Sequence, residues 1–198
     1  MKQAAKVIIR SKMLSLRKQH AETFELLKNT PRMIQNINGL ISNIGSSKII
    51  GGYYPIKGEF NILPILEYFS RLSWTVALPV TGPKYTPLDF LVWQEMDTSK
   101  LSKGRYNIPI PSGPLVYPNI LLVPLVAFTE SCGRLGYGGG YYDKTIRELK
   151  AMKKLDKAIG IAYEMQKCDY IPFEDNDEPL DAIVTEKKAY SCLHNVNL

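Results

Sequence analysis

Histidine and cysteine are nearly missing from this chain: two histidines, His20 and His194, and three cysteines, Cys132, Cys168 and Cys192, in 198 residues. With no C-x-x-C pair and wide gaps between the thiols, neither a zinc site nor a disulfide framework is indicated. The thiols are expected to be free, as suits a reducing cytoplasm. So few imidazoles also argue against a histidine-ligated metal and against histidine acid–base chemistry. No apolar run approaches the roughly 20 residues that cross a bilayer. The N-terminus, MKQAAKVIIRSKMLSLRKQ, is cationic and amphipathic like a transit peptide, but it lacks the apolar stretch and small-residue cleavage site of a secretory signal. Chemistry is left to carboxylates, cations, backbone amides and tyrosines.

What is present fits an ordinary globular protein, 45% hydrophobic and 22% charged, long enough to bury a substantial core. The net charge of +6 favours polyanionic partners, with nucleotides, nucleic acid and anionic metabolites all eligible. Residues 3–28 read as one long helix in which Val7, Ile8, Met13, Leu14, Phe24 and Leu27 alternate with Lys6, Arg10, Lys12, Arg17 and Lys18. NTPRMIQNINGLISNIG reads as a second helix with Thr30 as N-cap and Pro31 in its first turn. KIIGGYY, WTVALPV, LDFLVW, NILLVPLVAF, KAIGIAY and LDAIVTE read as strands, the last of them closing the sheet. NILPILEYFSRL and YYDKTIRELKAMKKL lie between them as helices. This alternation predicts an α/β fold, a three-layer α/β/α sandwich with a mostly parallel central sheet, in a single domain over 1–198.

One stretch stands out. SCGRLGYGGGYYDKTI, residues 131–146, carries five glycines ahead of a helix, and each glycine loses more conformational freedom on folding than any other residue. In α/β folds ligands gather beyond the carboxyl ends of strands, and this stretch follows the most apolar strand candidate. Small residues let backbone N–H groups approach an anion, and the helix start adds positive potential. The tract is neither a dinucleotide fingerprint nor a Walker loop, since its pattern is G-Y-G-G-G with no G-K-[ST] following. A flexible connector would not carry Arg134, Tyr141, Tyr142 and Asp143 so close together.

GRLGYGGGYYD closely resembles the signature of the 5-formyltetrahydrofolate cyclo-ligases (methenyltetrahydrofolate synthetases) over eleven consecutive positions. KVIIR, YYPIKGE, YNIPIP and LDAIVTE resemble further elements of that family, in the expected order. The resemblance implies a cytoplasmic enzyme of one-carbon metabolism, dependent on ATP and Mg2+. It would convert 5-formyltetrahydrofolate to 5,10-methenyltetrahydrofolate with release of ADP and phosphate. The formyl oxygen would attack the γ-phosphorus, and folate N10 would then close the ring as phosphate leaves. Such phosphoryl transfer asks a protein mainly for positioning and charge stabilisation, so a scarcity of histidine is no obstacle.

On the same resemblance, Lys6 and Arg10, four apart on one helical face, grip the nucleotide. Arg134, Leu135, Gly136, Tyr137, Gly138, Gly139, Gly140, Tyr141 and Tyr142 form its loop, with γ-phosphate contacts assigned to backbone. Arg134 and Asp143 are the expected catalytic residues, and Asp143 with Asp181 the expected magnesium ligands. Tyr54, Glu59 and Tyr106, with Tyr137, Gly138, Gly139, Gly140 and Tyr141, are expected at the folate. Glu174, Asp175, Asp177 and Glu178 read as a solvated acidic loop. The expected partner is a small molecule, the folate with or without a polyglutamate tail, acting on a monomer without nucleic acid or membrane. Two other readings stand beside this one: a related α/β enzyme for sugar phosphates or coenzyme A, and a basic nucleic-acid-binding protein.

Overall fold

The computed structural model describes residues 2–192, so His194 lies outside the described residues. Alternating strands and helices assemble into one sheet of β1 (Ile49–Gly51), β2 (Thr75–Val80), β3 (Asp89–Val92), β4 (Leu115–Val116), β5 (Ile120–Pro124), β6 (Lys157–Ile161), β7 (Ala182–Val184) and β8 (Ala189–Ser191). Their order across the sheet is β8–β7–β6–β5–β1–β2–β3–β4. The run from β7 to β2 is parallel throughout, while β8 on one side and β3 and β4 on the other pair antiparallel.

β5 is buried at every position, as a strand covered on both faces must be. Its alternation assigns the layers. Ile120 and Leu122 pack with Met33 and Ile37 of α2 (Leu26–Leu40) and with Leu66 and Phe69 of α3 (Leu63–Arg71). Leu121 and Val123 pack with Ile146 of α4 (Tyr141–Ala151) on the other side. The expected three-layer α/β/α architecture is what forms.

The first helix, α1 (Lys2–Thr23), lies over the carboxyl end of this sheet. Its Met13 packs with Val126, Ala127 and Leu135 just beyond β5. Its backbone comes so near the turn after β1 that a Cβ on Gly58 would sit 3.3 Å from Lys18 Cα. The amphipathic reading of this helix is inverted: Val7 and Ile8 are 56% and 68% exposed, whereas Lys6 and Arg17 are buried at 3% and 0%. Buried cations need partners, and those partners sit at the carboxyl end of the sheet.

Other expectations need correction. The long helix stops at Thr23 because Phe24 turns inward, its ring centroid 5.5 Å from Phe60 and 4.8 Å from Tyr163. Thr30 is not an N-cap; it lies inside α2, its hydroxyl donating to Leu26 O at 2.8 Å. LDAIVTE is not the last strand, since β8 adds antiparallel to β7. The apolar run NILLVPLVAF divides at Pro124, and Ala127–Phe128 pairs antiparallel with Arg134–Leu135, leading directly into the glycine tract. Two of the thiols are not free: Cys132 and Cys192 form a disulfide across 60 residues, leaving Cys168 unpaired. Tertiary packing brings them together, with Phe128 and Tyr190 meeting edge to face at 5.2 Å in the same core cluster as Cys132, and no sequence spacing signals it. Among the described residues, no helix is long and apolar enough to cross a membrane.

Candidate active site

The glycine tract begins at the short Arg134–Leu135 strand and ends at Gly140, the N-cap of α4. Gly138 and Gly140 hold φ values of +91° and +68°, which L side chains rarely adopt. Leu135 is core, buried beneath the loop. Arg10 of α1 clamps the tract from above, its Nε donating to Gly136 O at 2.7 Å. A Cβ on Gly138 would meet Arg10 Nη2 at 3.4 Å, an ordinary contact, so it is the backbone turn that asks for glycine there. From the other side Tyr85 N donates to Gly139 O at 3.2 Å.

Arg134 donates through Nη2 to Asp143 Oδ1, an oxygen that also accepts from Glu178 N at 3.1 Å. Arg134 Nε is buried without a partner, and so is the Tyr142 hydroxyl. Buried orphan donors of this kind are uncommon, and a bound ligand is one explanation for them. The other expected metal ligand sits elsewhere: Asp181 Oδ2 accepts from Ala158 N at 2.7 Å at the amino end of β6. No hydrogen bond joins Asp181 to Asp143 among the described residues.

Lys6 reaches the site too, but its Nζ is engaged by Glu174 Oε2 at 2.9 Å and Asp177 Oδ2 at 2.8 Å. Burial opposes its charge, yet the hydrogen bonds and charges of Asp177 and Glu174 outweigh burial and push its pKa up. The acidic run is therefore not simply a solvated loop. Glu174 and Asp177 hold α1, and Glu178 takes Arg147 at 2.8 Å and Lys150 at 3.5 Å on α4. A cavity of about 280 Å³ lies between this run and the tract, lined by Arg134, Gly133, Asp177 and Glu178 among others.

On the folate side of the expectation, Glu59 is buried at the turn after β1, its Oε2 accepting from Ile56 N at 2.9 Å. Burial raises its carboxyl above the usual range, against the Ile56 amide, the Arg17 charge and the Tyr137 phenol, which lower it. Tyr137 is the link between loop and turn: its phenol receives Arg17 Nη2 and acts on Glu59. Tyr142 projects from α4 toward the same group, its phenol raised by burial and then by the Glu59 charge. Tyr163 closes the base, pushed up to about 12 by burial. Tyr54 is half-buried with its ring 6.5 Å from Trp93. Tyr106 is 57% exposed at the rim, with Arg105 over its ring at 5.4 Å, and it touches Tyr141, whose hydroxyl donates to Gly82 O at 3.3 Å.

The structure thus gathers Arg10, Arg134, the tract, Asp143, Tyr142 and Glu59 at one end of the sheet and leaves Asp181 at the other. Arg17 is the residue that sequence reasoning passed over. Its signal was there, since Lys6, Arg10, Met13 and Arg17 recur on one helical face.

A largely parallel sheet with a glycine tract and clustered cations at its carboxyl end places this chain among the α/β proteins that can hold a phosphorylated ligand there. The model of the 5-formyltetrahydrofolate cyclo-ligase family matches residues 2–186. The chain belongs to that family. The 5-formyltetrahydrofolate cyclo-ligase of Escherichia coli K12 is 34% identical over 144 residues, 70% of this chain and 78% of that one. The Haemophilus influenzae protein of the same name is 30% identical over 140 residues, 68% and 73% of the two chains. Among solved structures, the 5,10-methenyltetrahydrofolate synthetase of Aquifex aeolicus superimposes with a TM-score of 0.69 at 26% identity, over 98% of this chain and 95% of that one. The Mycoplasma pneumoniae synthetase shares the fold at a TM-score of 0.66 and 24% identity, over 91% and 98%.

Proposed function

We propose that this chain is a 5-formyltetrahydrofolate cyclo-ligase that consumes ATP as its second substrate and forms 5,10-methenyltetrahydrofolate, ADP and phosphate. One observation carries the reading: the tract GRLGYGGGYYD is held by Arg10 at Gly136 O and by Arg17 at the Tyr137 phenol, and that phenol faces the buried Glu59 carboxyl. The reaction needs this juxtaposition. An N-formyl oxygen is part of an amide and leaves poorly until it is phosphorylated, so triphosphate and formyl group must meet across a few ångströms.

Arg10 and Arg134 would neutralise the phosphates, with guanidinium forks matched to their oxygens. The amides of Gly138, Gly139 and Gly140 and the start of α4 would complete the cradle. Arg134 has a buried, unspent Nε for the transferring group. As Arg134 turns to phosphate, Asp143 is released, and its hard oxygens suit magnesium. Mg2+, when bound, neutralises charge on the phosphates. Asp181, expected beside it, is engaged with the Ala158 amide, so the metal proposal rests on Asp143. Glu59 would accept from the pterin N–H edge, Tyr142 would supply a hydroxyl donor, and Tyr54, Tyr106 and Tyr141 would bound the flat ring and its tail. The nucleic-acid reading fits less well, because Lys6 and Arg17 are buried and unavailable to an external strand.

The test is absorbance. Mixing protein, 5-formyltetrahydrofolate, ATP and magnesium should generate the near-ultraviolet band of a conjugated methenyl bridge, and omitting ATP or magnesium should abolish it. Folded protein that yields no band in the full mixture would refute the proposal.

A further inference from the structure

Arg17 is fully buried, and its guanidinium joins three separate segments. Nη1 donates to Leu125 O at 3.0 Å, just beyond β5. Nη2 donates to Lys57 O at 2.9 Å and also to the Tyr137 phenol in the glycine tract. Its Cζ lies over the Tyr137 ring, 5.5 Å from the centroid. Nε has no partner. Lys57 and Gly58 hold successive positive φ values of 49° and 71°, a turn that α1 presses closely and that places Glu59. A buried cation is tolerated only with compensation, and carbonyls alone neutralise no charge. The nearby anion that could do so is Glu59, two residues beyond Lys57.

We propose that Arg17 is a positioning residue that couples the two halves of the site, tying the turn that carries Glu59 to the tract that would carry the nucleotide, through the Tyr137 phenol. The inference rests on the folate and nucleotide assignments above and adds a residue to them. Tyr137 accepts from Arg17 and faces Glu59, and Arg17 also holds Lys57 O in the turn that carries Glu59, so movement of the tract over a bound triphosphate is transmitted to the carboxylate. A pterin edge offers neighbouring N–H donors, which an ionised carboxylate receives on both oxygens, whereas a protonated one turns one of those oxygens into a competing donor. Arg17 and Lys57 favour the ionised form, and the phenols Tyr53, Tyr137, Tyr142 and Tyr163 face the same enclosure.

Arg17→Met and Tyr137→Phe test this, each checked for folding by circular dichroism and thermal melting. In the wild type, kcat/KM for 5-formyltetrahydrofolate should fall on the acid side as Glu59 protonates. In both variants that limb should move to higher pH, and KM for the folate should rise about tenfold at neutral pH with a smaller change in kcat. The double variant should lose less than the product of the two single losses, because they break one connection. A ligand-free measurement runs beside it: the Glu59 carboxyl followed by carbon NMR should titrate higher in each variant than in the wild type. Folded variants with unchanged acid limb, KM and Glu59 titration, and only a lower melting temperature, would overturn the inference. If Arg17→Met does not fold, Tyr137→Phe decides alone, and unchanged values there overturn it equally. Should the wild type show no turnover, the proposed activity fails, while the NMR comparison still decides whether Arg17 governs Glu59.

Discussion

Glu59 sits where burial disfavours its charge while Arg17, Tyr137 and the Ile56 amide favour it, and burial prevails. A carboxyl whose folded value lies above its unfolded value holds its proton more tightly in the folded state, so ionising it costs stability. That cost is absent below the unfolded value of 4.5, grows as pH rises through the interval up to the folded value, and is constant above it. Glu59→Gln should therefore melt higher than the wild type at about pH 8 and at the same temperature at about pH 4, while losing folate turnover. Equal melting at both pH values would remove the strain assigned to this site. At this scale the sequence singled out Arg10, Arg134, Glu59 and Asp143 through local motifs, and they lie at one end of the sheet, their roles there being the proposal made above. It misled at Asp181, whose carboxylate caps a strand, and at Arg17, whose burial depends on carbonyls that only the folded chain presents.

Between the elements, the glycine tract and α1 make one device. Gly136 O receives Arg10, Gly139 O receives the Tyr85 amide, and Gly138 supplies the left-handed turn between them. Gly138→Ala puts an L side chain at φ +91° and a methyl group 3.4 Å from Arg10 Nη2. The strain is on the order of 1–3 kcal/mol, so the melting temperature should fall by several degrees and KM for ATP should rise about tenfold or more. An unaltered KM would show that the tract does not hold the nucleotide. Strand and helix positions followed from periodicity, but the orientation of α1 did not. Its cations are compensated by Gly136 O, Leu125 O, Glu174 and Asp177, all more than 100 residues away, so a rule that turns apolar residues inward picks the wrong face.

Across the whole molecule, the parallel core brings the ends of β1, β5 and β6 together beneath α1, and the antiparallel edges frame them. The α/β/α layering followed from the alternation of elements, whereas the two-residue β4 and the edge strand β8 were too short to announce themselves. The Cys132–Cys192 disulfide anchors the entry to the site against β8, with Cys132 buried. Closing a loop across 60 residues restricts the unfolded chain by about 4 kcal/mol in the chain-entropy model. A non-reduced digest should yield the linked peptides, and reductant should lower the melting temperature by several degrees. Separate peptides from unreduced protein would show both thiols free. The reaction itself is followed most directly through the formyl oxygen. With 5-formyltetrahydrofolate labelled by heavy oxygen at that atom, every methenyl product should be matched by one inorganic phosphate carrying the label. Methenyl product accompanied by unlabelled phosphate would contradict phosphorylation of the formyl group at this site.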